Sequence, residues 1–154
     1  RPRGKERWIS AKAAHRERGV VDQVVLNIHD LQLACEEAQT SDVVRGDIAN
    51  GHNDPYPSRF TPSCAGMGRD YVLRWTAPAT RNYRFDTESS AVDTVLALYS
   101  GDCMNELACD DDGGRGLTSA LERRVEEGET LGIVVGGFRG RNGAWRLNIT
   151  ALEE

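Results

Sequence analysis

From Asp42 onward the chain is a succession of short β-branched and aromatic runs, each closed by Gly, Pro, Asn or Asp. Alternation of apolar and polar residues with period two, bounded by turn formers, is the pattern of antiparallel strands that bury one face. It predicts strands over Val43–Ile48, Asp70–Thr76, Asn82–Thr87, Asp93–Ser100, Ser119–Val125, Thr130–Gly136 and Ala144–Thr150. The alternation is explicit in Tyr71, Leu73 and Trp75, in Tyr83 and Phe85, and in Trp145, Leu147 and Ile149. Seven or eight such strands in 154 residues imply one all-β domain, an antiparallel sandwich, and leave no room for a second full domain. Glu127-Gly128 is predicted to turn the chain, and Asn142-Gly143 to close a tight hairpin between the last two strands.

The N-terminal stretch differs in kind. Residues 5–18 are rich in Ala, Lys, Glu and Arg and end at Gly19, which predicts a short amphipathic helix. Val20–Ala34 fits either period; its β-branched content favours a strand to about Ile28. The chain therefore divides into a basic extension, residues 1–32, and a sandwich domain, residues 33–154. Net charge is -5, yet residues 1–18 hold seven basic side chains against Glu6 and Glu17, so the body is strongly acidic. An acidic body argues against nucleic acid, whose affinity rests on Lys and Arg displacing counterions. No apolar run approaches the length of a membrane span.

Cys35, Cys64, Cys103 and Cys109 form an even set without a C-x-x-C pair or a histidine nearby, which favours disulfides over zinc. Disulfides in turn imply an oxidising, extracytoplasmic compartment.

The stretch most suggestive of chemistry is Gly101–Gly116, where Asp110, Asp111 and Asp112 stand side by side. Adjacent carboxylates repel one another unless a cation or solvent relieves them. Calcium suits such a loop, since it accepts six to eight hard oxygens in irregular arrangements. Asp93, opening a strand close to this loop, is the expected additional ligand. The competing reading is a solvated acidic turn in which Asp side chains cap backbone amides. The loop is not an EF-hand: counting from Asp110, Arg115 and Leu121 stand where Gly and Glu are required. A second acidic stretch, Gly46-Asp47 through Asn53-Asp54, could lend oxygens to an ion; Asp70 is expected to hydrogen-bond loop amides.

Catalytic motifs are absent: there is no G-x-S-x-G, H-E-x-x-H, P-loop or G-x-G-x-x-G. Ser119, His52 and Asp54 make a triad on paper only. Trp75, Tyr83, Phe85 and Trp145 are expected in the core, whereas Tyr56 and Phe60, in the Pro-rich segment DPYPSRFTPSC, are the candidates for an exposed ligand platform.

With these residues in order, the chain from about Leu33 to Leu152 resembles the bacterial pre-peptidase C-terminal domain family. The matching elements are Cys35-x-x-Ala38, Gly46-Asp47, Ser63-Cys64, the run from Asp70 to Pro78, Tyr83-x-Phe85-x-Thr87, and Asp93-Thr94-Val95-Leu96. The Cys103 to Cys109 loop with Asp110-Asp111, Ser119-Ala120-Leu121, Glu127-Gly128-Glu129-Thr130 and Gly143-x-Trp145-x-Leu147 complete the set. Gly136-Gly137 departs from the Asp-Gly common in relatives, and the basic extension is not covered. The resemblance implies a jelly-roll-like β-sandwich without catalytic machinery, secreted, often calcium-binding, with carbohydrate or protein fibres as ligands of some members. Together with local loop closure it suggests the pairs Cys35–Cys64 and Cys103–Cys109.

The expected function is a non-catalytic extracellular or cell-surface binding and adhesion module, calcium-stabilised, recognising a polysaccharide or protein surface. The alternative is a self-assembling surface or filament subunit in which the strand at residues 20–28 completes a neighbour's sheet.

Overall fold

The computed structural model describes residues 31, 33–44, 46–53 and 58–153, with residues 46 and 47 described for their backbone alone. Nine strands follow one another: β1 (Gln39–Ser41), β2 (Gly46–His52), β3 (Met67–Thr76), β4 (Arg81–Asp86), β5 (Thr94–Ser100), β6 (Glu106–Asp110), β7 (Ala120–Val125), β8 (Thr130–Phe138) and β9 (Ala144–Ala151). They form a five-stranded sheet, β1-β3-β8-β5-β6, and a four-stranded sheet, β2-β9-β4-β7. All pairings are antiparallel except β1 on β3. A short helix, residues 33–37, precedes β1. The all-β sandwich expected from the alternation is therefore present, with β1 and β6 as strands the pattern did not mark. Residues 20–28, proposed to pair with a neighbour's sheet, lie outside the described residues.

The inner faces of both sheets meet in one core. Leu73, Trp75, Tyr83, Phe85, Leu96, Leu98, Leu131, Ile133, Leu147 and Ile149 are all buried there, so each predicted alternation points the expected way. Trp75 packs edge-on against Tyr83 at 4.8 Å and Phe85 at 5.5 Å between ring centroids. A buried aromatic of this size contributes roughly 3 kcal/mol through apolar burial.

β5 breaks the simple alternation, because six of its seven residues are buried. Leu96 and Leu98 fill the sandwich, while Val95, Ala97 and Tyr99 face a second apolar cluster with Ala34, Cys35, Phe60, Val72 and Val134. The outer face of the five-stranded sheet is thus covered by the helix at residues 33–37 and by the segment around Phe60. Burial on both faces is why this strand reads as a continuous apolar run.

Both disulfides fasten this cover. Cys35 joins Cys103 with Cα atoms 5.9 Å apart, and Cys64 joins Cys109 at 5.8 Å. This corrects the expected Cys35–Cys64 and Cys103–Cys109 pairs. Cys35 and Cys64 sit on two separate covering segments, and each is stapled to the β5–β6 hairpin beneath rather than to the other. A second correction concerns the last two strands. β8 and β9 lie in different sheets, so no hairpin joins them, and the left-handed residues of their connection are Arg139 and Gly140, not Asn142-Gly143. Gly128 does turn the chain with positive φ, as expected.

Candidate metal centre

One end of the sandwich gathers the β6–β7 loop, the start of β5 and the β8–β9 connection. There Asp93, Asp111 and Asp112 each offer a carboxylate oxygen, all within 4.8 Å of one another. Asp93 Oδ1 and Asp111 Oδ1 are buried without any hydrogen-bond partner. Burial, with the charge of Asp112 next in weight, pushes the Asp93 carboxyl above its usual range. The Asp111 carboxyl is raised by burial and then by the neighbouring charges of Asp112, Asp93 and Asp110. Arg141, more than half exposed, approaches Asp93 Oδ2 only to 3.9 Å, too far for a hydrogen bond.

Asp110 plays another part. Its Oδ2 accepts the backbone amides of Gly113 at 2.7 Å and Ala120 at 2.8 Å, tying the loop's beginning to its end. A Cβ on Gly113 would lie 2.7 Å from that same oxygen, so any side chain there would push the carboxylate off the amides it holds. Of the four expected ligands, then, three converge and Asp110 shapes their loop.

Below the loop runs a buried hydroxyl network that the sequence reading missed. Thr87 and Thr94 share a hydrogen bond at 2.6 Å, Thr94 and Ser119 another at 2.9 Å, and the Ser119 amide donates to Thr87 Oγ1 at 2.9 Å. Ser119 Oγ also lies 2.6 Å from the Asp111 carbonyl oxygen, so the network grips the loop directly behind its carboxylates. All three residues are fully buried. The only signal in the sequence was three hydroxyl residues at strand ends, which ordinary turns also supply.

The other candidates fall elsewhere. Phe60 is 1% exposed and stacks on Tyr99 with centroids 5.0 Å apart, so it plugs the second cluster and is no exposed platform. Its aromatic bulk outweighed the prolines around it. Tyr56 and Asp54 lie outside the described residues. Among the described residues the Ser119 hydroxyl has Thr94 and two carbonyl oxygens as its partners and no imidazole. Asp70, fully buried, accepts the loop amides of Arg59 and Phe60 as expected. No helix among the described residues is long and apolar enough to cross a membrane.

No protein-family model matches the chain, and no curated protein matches it. Among solved structures, the chain is similar to the 1.0 Å crystal structure of the pre-peptidase C-terminal domain of a collagenase from Bacillus anthracis, at 12% sequence identity, over 73% of this chain and 96% of that one, with a TM-score of 0.49.

Proposed function

We propose that this chain is a non-catalytic extracellular module that recognises a polymer or partner surface and is stabilised by calcium held by Asp93, Asp111 and Asp112. The observation that carries the calcium reading is the pair of buried, unpartnered carboxylate oxygens on Asp93 and Asp111. A buried acceptor without a partner is costly, and a buried anion more so. A hard divalent cation satisfies both at once, and an all-oxygen set in an irregular loop suits calcium better than magnesium, which demands tight octahedral geometry. The ion supplies charge neutralisation; the hydroxyl network and Asp110 hold the loop in the shape that receives it. Two disulfides support an oxidising compartment, and a sequence without a known catalytic motif supports a binding role.

The test is the melting temperature with millimolar calcium or with chelator, in wild type and in Asp111→Asn. A ligand that binds only the folded state stabilises by about 2.7 kcal/mol at a hundredfold excess over its Kd. Calcium should raise the wild-type value and leave the variant unmoved. Equal melting temperatures for wild type with and without calcium would overturn the calcium reading.

A further inference from the structure

The dipeptide Asn-Gly occurs twice in the chain, at Asn50-Gly51 and at Asn142-Gly143. An asparagine followed by glycine is open to attack from its own backbone, because a residue without a Cβ lets its amide nitrogen swing towards the preceding side-chain carbonyl. Both asparagines are exposed, so access to water does not distinguish them. The backbone does. Asn50 and Gly51 lie within β2, in register with Arg146 and Trp145 of β9, and a Cβ on Gly51 would stand 3.3 Å from the Trp145 ring. A peptide held in a ladder and pressed against an indole cannot turn back onto the side chain before it. Asn142 and Gly143 belong to neither strand: β8 ends at Phe138 and β9 begins at Ala144.

What restrains this connection is Asn53, a buried residue at the end of β2. Its Oδ1 accepts the Gly143 amide at 2.8 Å, and its own amide donates to the Gly143 carbonyl at 3.3 Å. Its Nδ2 donates to the Arg141 carbonyl at 2.9 Å. One side chain thus grips the backbone on either side of Asn142 and leaves the Asn142 side chain in solvent. Gly143 is also tightly seated: a Cβ there would stand 2.8 Å from Val92 Cβ, and the Val92 amide donates to the Ala144 carbonyl at 3.2 Å.

We propose that Asn142 is a site of spontaneous deamidation and that Asn53 sets its rate. The Gly143 nitrogen loses its proton and attacks the Asn142 side-chain carbonyl carbon; the bond to the side-chain nitrogen breaks, and ammonia leaves. A five-membered imide remains. Water opens it at one of its two carbonyls, giving aspartate or the β-linked isomer, with no oxidant or metal consumed. The hydrogen bond to Asn53 opposes the first step twice, since it holds the proton that must leave and fixes the peptide plane that must turn. Reaction therefore waits on local opening of the Asn53 grip. Either product adds a negative charge beside Arg141, the arginine that approaches Asp93. The β-linked isomer also inserts one carbon into the backbone, which pulls Gly143 off Asn53 and Val92 and loosens the chain next to Asp93. The change is one-way and is independent of the function proposed above.

The experiment incubates the disulfide-intact protein in mildly alkaline buffer, folded or unfolded in denaturant, and follows each Asn-Gly site by peptide mass spectrometry. An isoaspartate methyltransferase identifies the β-linked product. In the folded protein Asn142 should convert and Asn50 should not, whereas the unfolded chain should convert at both. Folded Asn142 should react slower than unfolded by about tenfold or more, the worth of the hydrogen bond that must open. Asn53→Ala should bring the folded rate up towards the unfolded one, and Asn142→Gln should abolish the product. Should Asn53→Ala fail to fold, the comparison of folded with unfolded wild type decides. Conversion at Asn50 as fast as at Asn142 in the folded protein, or no conversion at Asn142, would overturn the site. A folded Asn142 reacting at the unfolded rate, or a folded Asn53→Ala reacting no faster than wild type, would overturn the part given to Asn53.

Discussion

Asp70 holds Arg59 at both ends: its Oδ2 accepts the Arg59 backbone amide at 2.7 Å, and its Oδ1 accepts the guanidinium Nε at 3.2 Å. The same Oδ2 takes the Phe60 amide at 2.8 Å, so one buried carboxylate on β3 positions the segment that roofs the second apolar cluster. Burial outweighs these bonds and leaves the Asp70 carboxyl above its ordinary range.

Asp70→Ala should therefore do more than remove a charge. It strands the buried Phe60 amide, the half-buried Arg59 amide and the Arg59 guanidinium, and loss of one partner of a buried pair costs about 3 kcal/mol. For a domain of this size that lowers the melting temperature by roughly 10 °C. Chemical denaturation checks it, and a variant within about 0.5 kcal/mol of wild type, the scatter of ordinary surface changes, would contradict the latch.

Non-reducing peptide mapping should recover Cys35 with Cys103 and Cys64 with Cys109. The bridges close loops of 68 and 45 residues, each worth about 4 kcal/mol in the chain-entropy model. The loops interlace, so the two contributions are not additive. Removing one bridge as Cys64→Ser with Cys109→Ser should destabilise strongly while leaving the β signature of the circular dichroism spectrum in place at low temperature.

The acidic trio gives a pH prediction whose sign follows from the raised carboxyls of Asp93 and Asp111. A carboxyl raised in the folded state binds its proton there more readily than in the unfolded chain. Without metal, its contribution is most favourable at low pH and is lost as pH rises through the raised values, above the ordinary 3.8. Asp111→Asn in chelator should consequently be as stable as wild type or more so at neutral pH, with a flatter profile between the carboxylate range and neutrality. Calcium stabilisation of wild type should fade on acidification over the same window. A neutral-pH destabilisation of the metal-free variant would show that Asp111 is instead held by protein partners.

Ser119→Ala removes the hydroxyl shared by Thr94 and the Asp111 carbonyl. Leaving buried groups unsatisfied costs about 1–3 kcal/mol. The calcium-dependent rise in melting temperature should also shrink, because the loop behind the carboxylates loses its anchor. An undiminished calcium response would separate the network from the metal centre.

The strands of the inner core could be read from the chain itself. Where aromatic and β-branched residues alternate, as in Tyr71, Leu73 and Trp75, period two places them together on the face that meets the other sheet. The short alternations of β4 and β9 behaved the same way, within a residue or two of their ends. β2 was misplaced, predicted at Val43–Ile48 and found at Gly46–His52, because GDIANGH has little strand propensity of its own and is ordered by pairing with β9. β6 escaped notice for a similar reason: ELACD is too short and mixed to signal a strand without β5 beside it.

The acidic loop was visible as an accumulation of like charge, and that much is a local property. The meeting of Asp93, Asp111 and Asp112 follows the expectation from the chain. The part of Asp110 does not: it turns back onto the amides of its own loop, a choice set by distances that appear only in the folded loop. The cysteines show the same division. Their even number and the lack of metal-ligand spacing pointed to disulfides, but closure entropy favours near neighbours only if the chain has no other reason to bring distant ones together. Burial of Phe60 and Ala34 on the outer face of β5 supplied that reason, carrying Cys64 and Cys35 onto the β5–β6 hairpin. Local pattern thus determined the strands that carry the inner core and the acidic character of the loop. Tertiary packing alone decided what covers the second face of the sheet, which sulfurs meet, and which oxygens are left without a partner, because each of those depends on contacts between segments that periodicity cannot relate.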